Sequence, residues 1–234
     1  MIWFTSDTHF GHANVLGFTN RHEWWGDDVA AMNHALIANI NAVVAPDDEL
    51  YHLGDFSFKM TADDAAALRR QIRCRRIHLV PGNHDKDWTQ PAVAGTFMVE
   101  PPIKVLKVGG RKLVLCHYPM VDWQSLGHGS IHLHGHIHAP AEYNEWNRAE
   151  RVLRYDVGED ANGYMPVSLD QLLSFFDGVE HRPRTTREQW LQLARGVAWS
   201  EDDALLPANV ALTSPGCDTK AMSRTGWHLC RQRV

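Results

Sequence analysis

The sequence predicts an α/β fold in which a parallel sheet is followed by a second, more antiparallel sheet packed on it, with helices outside both. Three observations carry this. Over the first hundred residues short apolar runs alternate with segments of helical period. Each run ends in a cluster of polar residues, most beside a glycine. From Ile103 onward hairpin signals replace that alternation.

The first run, Met1 to Ser6, reads as a buried strand leading into Asp7-Thr8-His9. Phe10 to Gly26 has no clear period and is expected to be an irregular loop. Asp27 to Val44 is a helix, with Asp27 or Asp28 as its cap and Val29, Met32, Leu36, Ile37, Ile40 and Val43 on one face. Glu49 to Leu53 forms the second strand and ends at Gly54-Asp55. Thr61 to Ile72 is an alanine-rich helix capped by Thr61. Arg76 to Val80 is the third strand, stopped by Pro81-Gly82 ahead of Asn83-His84-Asp85.

The texture then changes. Ile103 to Val108, Gly109-Gly110 and Lys112 to Cys116 make a hairpin, with His117 just past it. Ile131 to His134 and Val152 to Val157 are further strands, and Ser168 to Phe176 a further helix. After about residue 180 the periodicity weakens. Thr186 to Arg195 could form a helix, and Cys217, His228 and Cys230 lack the spacing and the fourth ligand of a zinc site.

Composition limits the function classes. The chain has 234 residues, 44% of them hydrophobic and 22% charged, which suits one globular core with a small appendage. A net charge of −5 gives no electrostatic footprint for wrapping nucleic acid, although a nucleotide substrate stays open. Four cysteines without a Cys-x-x-Cys pair fit reduced thiols. The N-terminus turns polar too early for a signal peptide, and no apolar run approaches the roughly 20 residues that span a bilayer. A cytoplasmic location and no membrane partner are therefore expected.

Fifteen histidines is a high count, and five of them fall between Gly127 and His138. With the aspartates they form five polar clusters: Asp7-Thr8-His9, Gly54-Asp55, Gly82-Asn83-His84-Asp85, Cys116-His117 and Gly135-His136-Ile137-His138. In an extended backbone, residues i and i+2 face the same way, so each Asp-x-His or His-x-His pair could converge on one cation. Carboxylate, imidazole and amide donors without thiolate suit Mn, Fe, Zn or Ni. The inventory fits two divalent transition metal ions: Asp7, His9, Asp55 and His138 for the first, and Asp55, Asn83, His117 and His136 for the second. Asp55 would bridge them, since a carboxylate has lone pairs for both. Two such ions bring about four positive charges and two carboxylates cancel two, which leaves enough to activate water and attract phosphate.

In type, order and spacing these residues resemble the calcineurin-like metallophosphoesterase superfamily, whose pattern is Asp-x-His, Gly-Asp, Gly-Asn-His-Asp/Glu, a histidine, and Gly-His-x-His. The stretches around Ser6 to His12, Leu53 to Phe58 and Gly158 to Leu172 are similar to its compact bacterial and bacteriophage branch. The resemblance implies a four-layer αββα sandwich of two mixed β-sheets flanked by helices. It implies a metallophosphoesterase domain over residues 1–178, with 179–234 as an appendage of no assigned role. It also implies His84 as the substrate-contacting catalytic histidine with Asp85 as its partner. The Asp-Arg-Gly of the protein Ser/Thr phosphatases is absent, since Phe56-Ser57-Phe58 stands there, which argues against phosphoproteins and removes a phosphate-clamping arginine. Arg21 is the candidate replacement.

The function expected is a dinuclear-metal-dependent phosphoesterase, manganese being one metal that fits. In-line attack of a metal-bridging hydroxide would cleave a small phosphoester or nucleotide, with phosphodiesters favoured. Trp24, Trp25 and Trp123 are candidates to stack on a base. Three alternatives stay open: a nuclease on DNA or RNA ends, a phosphomonoesterase on small phosphates, and a non-catalytic interaction module on the same fold.

Overall fold

Strand β1 (Ile2–Thr5) lies between β2 (Glu49–His52) and β9 (Val167–Ser168), and β3 (Arg76–Leu79) and β4 (Met98–Val99) extend the sheet beyond β2 in the order β4-β3-β2-β1-β9. The four leading strands are mutually parallel and β9 is antiparallel to β1. This computed structural model describes residues 1–182. They lie in the first of two units into which the chain divides, Met1–Arg184 and Thr185–Val234. The expected helix over 186–195 and the residues Cys217, His228 and Cys230 lie outside the described residues.

A second sheet has the order β5-β6-β7-β8, from β5 (Ile103–Val108), β6 (Arg111–Cys116), β7 (Ile131–His134) and β8 (Arg154–Asp156). Only the β5–β6 hairpin is antiparallel; β6–β7 and β7–β8 are parallel. The sheet is mixed, as expected, with its antiparallel character confined to the hairpin whose signals the sequence shows. The segments joining β6 to β7 and β7 to β8 are long crossovers, which return the chain to the same end of the sheet, whereas antiparallel neighbours need short turns.

The helices are α1 (Ala13–Phe18), α2 (His22–Trp25), α3 (Val29–Val43), α4 (Ala62–Arg69), α5 (Tyr143–Ala149) and α6 (Leu169–Phe175). The first two occupy the stretch expected to be irregular, because helices of six and four residues are too short to show a period. α3 forms for the expected reasons. Asp28 caps it by accepting the Ala31 N–H at 2.9 Å, and Met32, Leu36, Ile37 and Ile40 fall on its buried face. It stops at Val44 because Pro46 disfavours helical backbone at the residue before it. At α6 the Ser168 hydroxyl and the Gln171 side chain cap each other's backbone N–H in a capping box.

Strand alternation sorts the apolar side chains into two cores. Leu50, Ile77 and Leu79 pack with Met32, Leu36 and Ile40 between α3 and the first sheet. Phe4, Tyr51, Leu53 and Val80 face Leu113, Leu115, Ile131 and Leu133 between the two sheets. On the far side α5 packs on β8, with Tyr143 edge-on to His134 of β7, whereas Tyr155 of β8 shares the inner face with Leu133 and meets Phe175 and Phe176 edge-on. The result is a four-layer αββα sandwich. Among the described residues Cys74 and Cys116 are buried free thiols, and no helix is long and apolar enough to cross a membrane.

Register brings the strand ends together. Thr5, His52 and Leu79 are aligned across β1, β2 and β3, so the polar clusters that follow them leave the first sheet at one edge. Past the ends of β1 and β8, Ser6 pairs with Gly158 in a parallel bridge, which ties the carboxyl edges of the two sheets to each other.

Candidate metal centre

At that edge the backbone bends in a way few L-residues tolerate. Among the described residues, five of the nine non-glycine residues with positive φ are Asp7, His9, Asp55, His136 and His138, at φ between 45° and 74°. Each left-handed residue costs about 1–3 kcal/mol, so the concentration of five in one place marks a site rather than a fold requirement. It also corrects the extended geometry expected for the two i, i+2 pairs. Asp7 and His9 do converge, but His136 and His138 diverge to separate groups of ligand atoms.

The first group is Asp7, His9 and His138, and the second is Asp55, His117 and His136; within each, the ligand atoms lie within 4.8 Å of one another. Asn83 joins the second through its Oδ1, 3.1 Å from His117 Nε2. The two aspartates are held alike. Asp7 Oδ2 accepts the His136 N–H at 2.9 Å, and Asp55 Oδ1 accepts the His84 N–H at 2.8 Å. One oxygen of each is thereby fixed and the other is left facing the histidines. Gly82 and Gly135 permit this, since a Cβ at either would overlap Asp55 Oδ1 or Asp7 Oδ2.

The free oxygens carry the chemistry. Asp55 Oδ2 lies 3.4 Å from His117 Nε2 and 3.6 Å from His9 Nε2, between the two groups. Asp7 Oδ1 is buried and has no hydrogen-bond partner. A carboxylate oxygen stripped of water and left unpaired is costly, and a cation between it and the neighbouring imidazoles removes that cost. The imidazoles agree. His117 Nδ1 donates to the Leu53 carbonyl at 2.8 Å, which turns Nε2 toward Asp55 and Asn83. His138 Nδ1 meets Asp160 Oδ2 at 2.7 Å, which turns its Nε2 to within 3.2 Å of His9 Nε2. Acceptors converging on acceptors fit a divalent ion in each group.

Electrostatics points the same way. Burial alone would depress His117 and His138, but Asp55 and Asp7 around the one, and Asp160 and Asp7 around the other, hold both above the usual imidazole range. The same carboxylates that favour a proton on these rings favour a cation beside them, so metal uptake competes with protonation. His9 is pushed down to about 2 by burial and by its neighbour His138. Burial raises Asp7. Burial also acts to raise Asp55, but its contacts with His117 win and hold it well below the usual carboxylate range.

Two expected roles change. Arg21, the candidate phosphate clamp, is fully buried. It grips Asp160 through Nε at 2.9 Å and an Nη at 2.8 Å, and donates to the Asp7 and Thr8 carbonyls. With those donors spent behind the first ligand group, it positions His138 through Asp160. Asp85 does not hold the His84 ring. Its Oδ2 accepts the Asp55 and Gly82 N–H groups, both at 2.8 Å, and its Oδ1 accepts the Phe56 N–H at 3.0 Å. It clamps the loop after β2 to the loop after β3. His84 itself is exposed, with its ring edge-on to Phe58 at 4.8 Å and 5.7 Å from that of His9.

Sequence reasoning missed Asp160 and His12. His12 is buried with its Nδ1 3.3 Å from His9 Nδ1, so it orients that ring, and burial lowers it to about 4. Of the tryptophans considered for stacking, Trp123 is buried with its Nε1 donating to the Ser130 carbonyl, Trp25 packs on Tyr164, and Trp24 is exposed with its ring edge-on to Tyr164.

Behind Arg21, Glu159 Oε1 accepts from the Thr5 hydroxyl at 2.8 Å while Oε2 has no partner. Burial pushes Glu159 up to about 7, from an ordinary value of 4.5. A group so raised holds its proton when folded and loses it when unfolded across that window, so its ionisation destabilises the fold as pH rises. In the metal-free protein, Glu159→Gln is expected to be nearly neutral at pH 4 and stabilising by roughly 3 kcal/mol above pH 7. Denaturant melts of both proteins across that range measure it, and a pH-independent difference contradicts it.

Known proteins resemble this chain over about three quarters of its length. It is 31% identical over 178 residues to an uncharacterized protein of Methanocaldococcus jannaschii, covering 75% of this chain and 91% of that one. It is 29% identical over 206 residues to the gene 66 protein of Mycobacterium phage L5, covering 76% and 94%. A solved structure of a protein of unknown function from Aquifex aeolicus superposes with a TM-score of 0.59 at 25% identity, covering 74% of this chain and 98% of that one. The model of the calcineurin-like phosphoesterase superfamily domain matches residues 1–163. That span contains β1 to β8 and all the residues of both ligand groups, so the chain belongs to the calcineurin-like phosphoesterase superfamily and is a hydrolase acting on phosphoester bonds.

Proposed function

We propose that this hydrolase cleaves phosphodiesters at a dinuclear centre. Asp7, His9, Asp55 and His138 would hold one ion, and Asp55, Asn83, His117 and His136 the other. The observation that carries this reading is the place of Asp55 Oδ2, within 3.6 Å of an imidazole nitrogen from each group. When bound, two divalent ions supply Lewis-acid activation of water and positive charge for the phosphoryl oxygens. The oxygen and nitrogen donors favour Mn, Fe, Zn or Ni, with manganese the first to test.

The remaining steps belong to the chain's own residues. Asp55 and Asp7 fix the charge balance of the centre. His12 and Asp160 orient His9 and His138. His84, exposed beside the centre, is placed to hold a phosphoryl oxygen or to give a proton to the departing oxygen. His84→Ala is expected to lower turnover about 10²-fold with metal content intact; metal loss in this variant would make His84 a ligand instead. The catalytic domain is proposed to span residues 1–178, with 179–234 as an appendage.

The test is an activity screen with Mn²⁺, Ni²⁺ or Mg²⁺ against bis-p-nitrophenyl phosphate, p-nitrophenyl phosphate and 2′,3′-cyclic nucleotides. Chelation should abolish the activity and metal restore it. Hydrolysis of the diesters ahead of the monoester supports the proposal, and preference for the monoester replaces it with a phosphomonoesterase. No turnover and no bound metal would leave an interaction module.

A further inference from the structure

Two exposed rings stand beside the ligand groups without serving either. Phe18, at the end of α1, is 61% exposed, yet its ring meets those of His138 and His12 edge-on at 5.9 and 5.6 Å. Tyr118, next to His117, is 45% exposed, and its ring lies 4.7 Å from His136 and 5.0 Å from His117. One ring therefore flanks the first group and the other flanks the second. A single exposed aromatic needs no explanation. A pair distributed one to each group, around a centre of otherwise polar donors, selects for what surrounds the phosphorus.

A phosphomonoester carries one organic substituent and a phosphodiester two. With the phosphate at the centre, two platforms suit a diester with a flat group on each side. An internucleotide linkage has that form, and stacking of a base on an aromatic ring tolerates any base. In a duplex the bases are already paired and stacked, and swinging them out costs a few kcal/mol, so a single strand is favoured. A net charge of −5 supplies no basic track for a long polymer, which confines recognition to the linkage and its two neighbours.

We infer that the substrate is an internucleotide phosphodiester in a short single strand, with the bases on either side of the scissile phosphate stacked on Phe18 and Tyr118. The inference rests on the phosphodiesterase reading above. In the reaction, water oxygen forms the new P–O bond as the bond to one sugar oxygen breaks. That oxygen takes a proton, and the products are a hydroxyl-ended nucleoside and a nucleotide monoester.

The test compares a dithymidine monophosphate with its abasic analogue on the metal-loaded full chain. The wild type is expected to show a kcat/KM about tenfold or more higher on the base-bearing substrate. Phe18→Ala and Tyr118→Ala should each narrow that ratio severalfold, chiefly through KM on the dithymidine substrate. Phe18→Tyr and Tyr118→Phe should restore it, and Trp146→Ala, an exposed ring on α5, should leave it as it was. Equal rates on the two substrates overturn the inference, as does an undiminished ratio in both alanine variants. Turnover of long strands without turnover of the dinucleotide overturns it too. In all three cases hydrolysis of bis-p-nitrophenyl phosphate ahead of the monoester still upholds the phosphodiesterase reading, which falls if that hydrolysis is absent or second to the monoester.

Discussion

Asp55→Asn is expected to reduce turnover by about 10³-fold or more and to leave at most one equivalent of metal bound. The argument turns on which atom changes. The asparagine carbonyl can still accept the His84 N–H, now met by Asp55 Oδ1 at 2.8 Å, so the loop stays in place. The other oxygen becomes an NH₂ aimed at His9 and His117, whose nitrogens lie 3.6 and 3.4 Å away. The amide still fills the space between the groups, but the centre loses a negative charge that His117 holds ionised and that raises the proton affinity of His117 in turn. The metal-free protein should therefore lose some stability while keeping its fold, and the metal count rather than the melting temperature reports the bridging role. Elemental analysis and the bis-p-nitrophenyl phosphate assay decide it together. Full turnover with two metals bound would remove the bridging role.

Asp85→Ala is expected to act first on stability. It strips the acceptor from three backbone N–H groups, those of Asp55, Phe56 and Gly82. Hydrogen bonds to a charged group are worth about 1.5–3 kcal/mol each, and donors left buried add their desolvation cost. A loss of about 3–5 kcal/mol is expected, which for a domain of this size lowers the melting temperature by about 10 °C or more. Activity should fall as well, because Asp55 sits on the loop released. If Asp85 served only the His84 ring, its replacement would spare the melting temperature. The double variant with His84→Ala would then be no worse than His84→Ala alone. Thermal melts and kinetics on the three variants separate these outcomes.

The two aspartates form a reciprocal clamp, in which Asp55 takes the N–H of His84 while Asp85 takes those of Asp55 and Phe56. Gly54 at φ 96° and Asp55 at φ 56° are successive left-handed residues, and this turns the Asp55 and Phe56 N–H groups toward one carboxylate. No local pattern in Gly54-Asp55 announces such a turn, because aspartate, although enriched among non-glycine residues at positive φ, adopts it in only a minority of cases. The same limit explains the wrong geometry expected for His136 and His138. Their separation by two predicts a shared direction only in extended backbone.

Arg21 shows a different limit. Its position in an early loop rich in polar residues suited a surface cation, yet its partner Asp160 is 139 residues away in sequence. That pairing exists only because β8 brings the segment after it up against Ser6, through the bridge between Ser6 and Gly158. Phe18 and Tyr118 were passed over in favour of the tryptophans for a similar reason. Residue type suggests which side chains can stack, and only packing says which remain in water.

The order of the strands other than the two-residue β4 and β9, the capped helices α3, α4 and α6, and the polar clusters at strand ends were legible from sequence alone, since each rests on contacts among neighbours in the chain or on a period. The pairing of the second sheet, the left-handed backbone that sends His136 and His138 in different directions, and the true partners of Arg21 and Asp85 were decided by tertiary structure. Those depend on crossover paths and on hydrogen-bond acceptors brought from distant strands, and a backbone or side-chain donor accepts whichever partner folding places nearest.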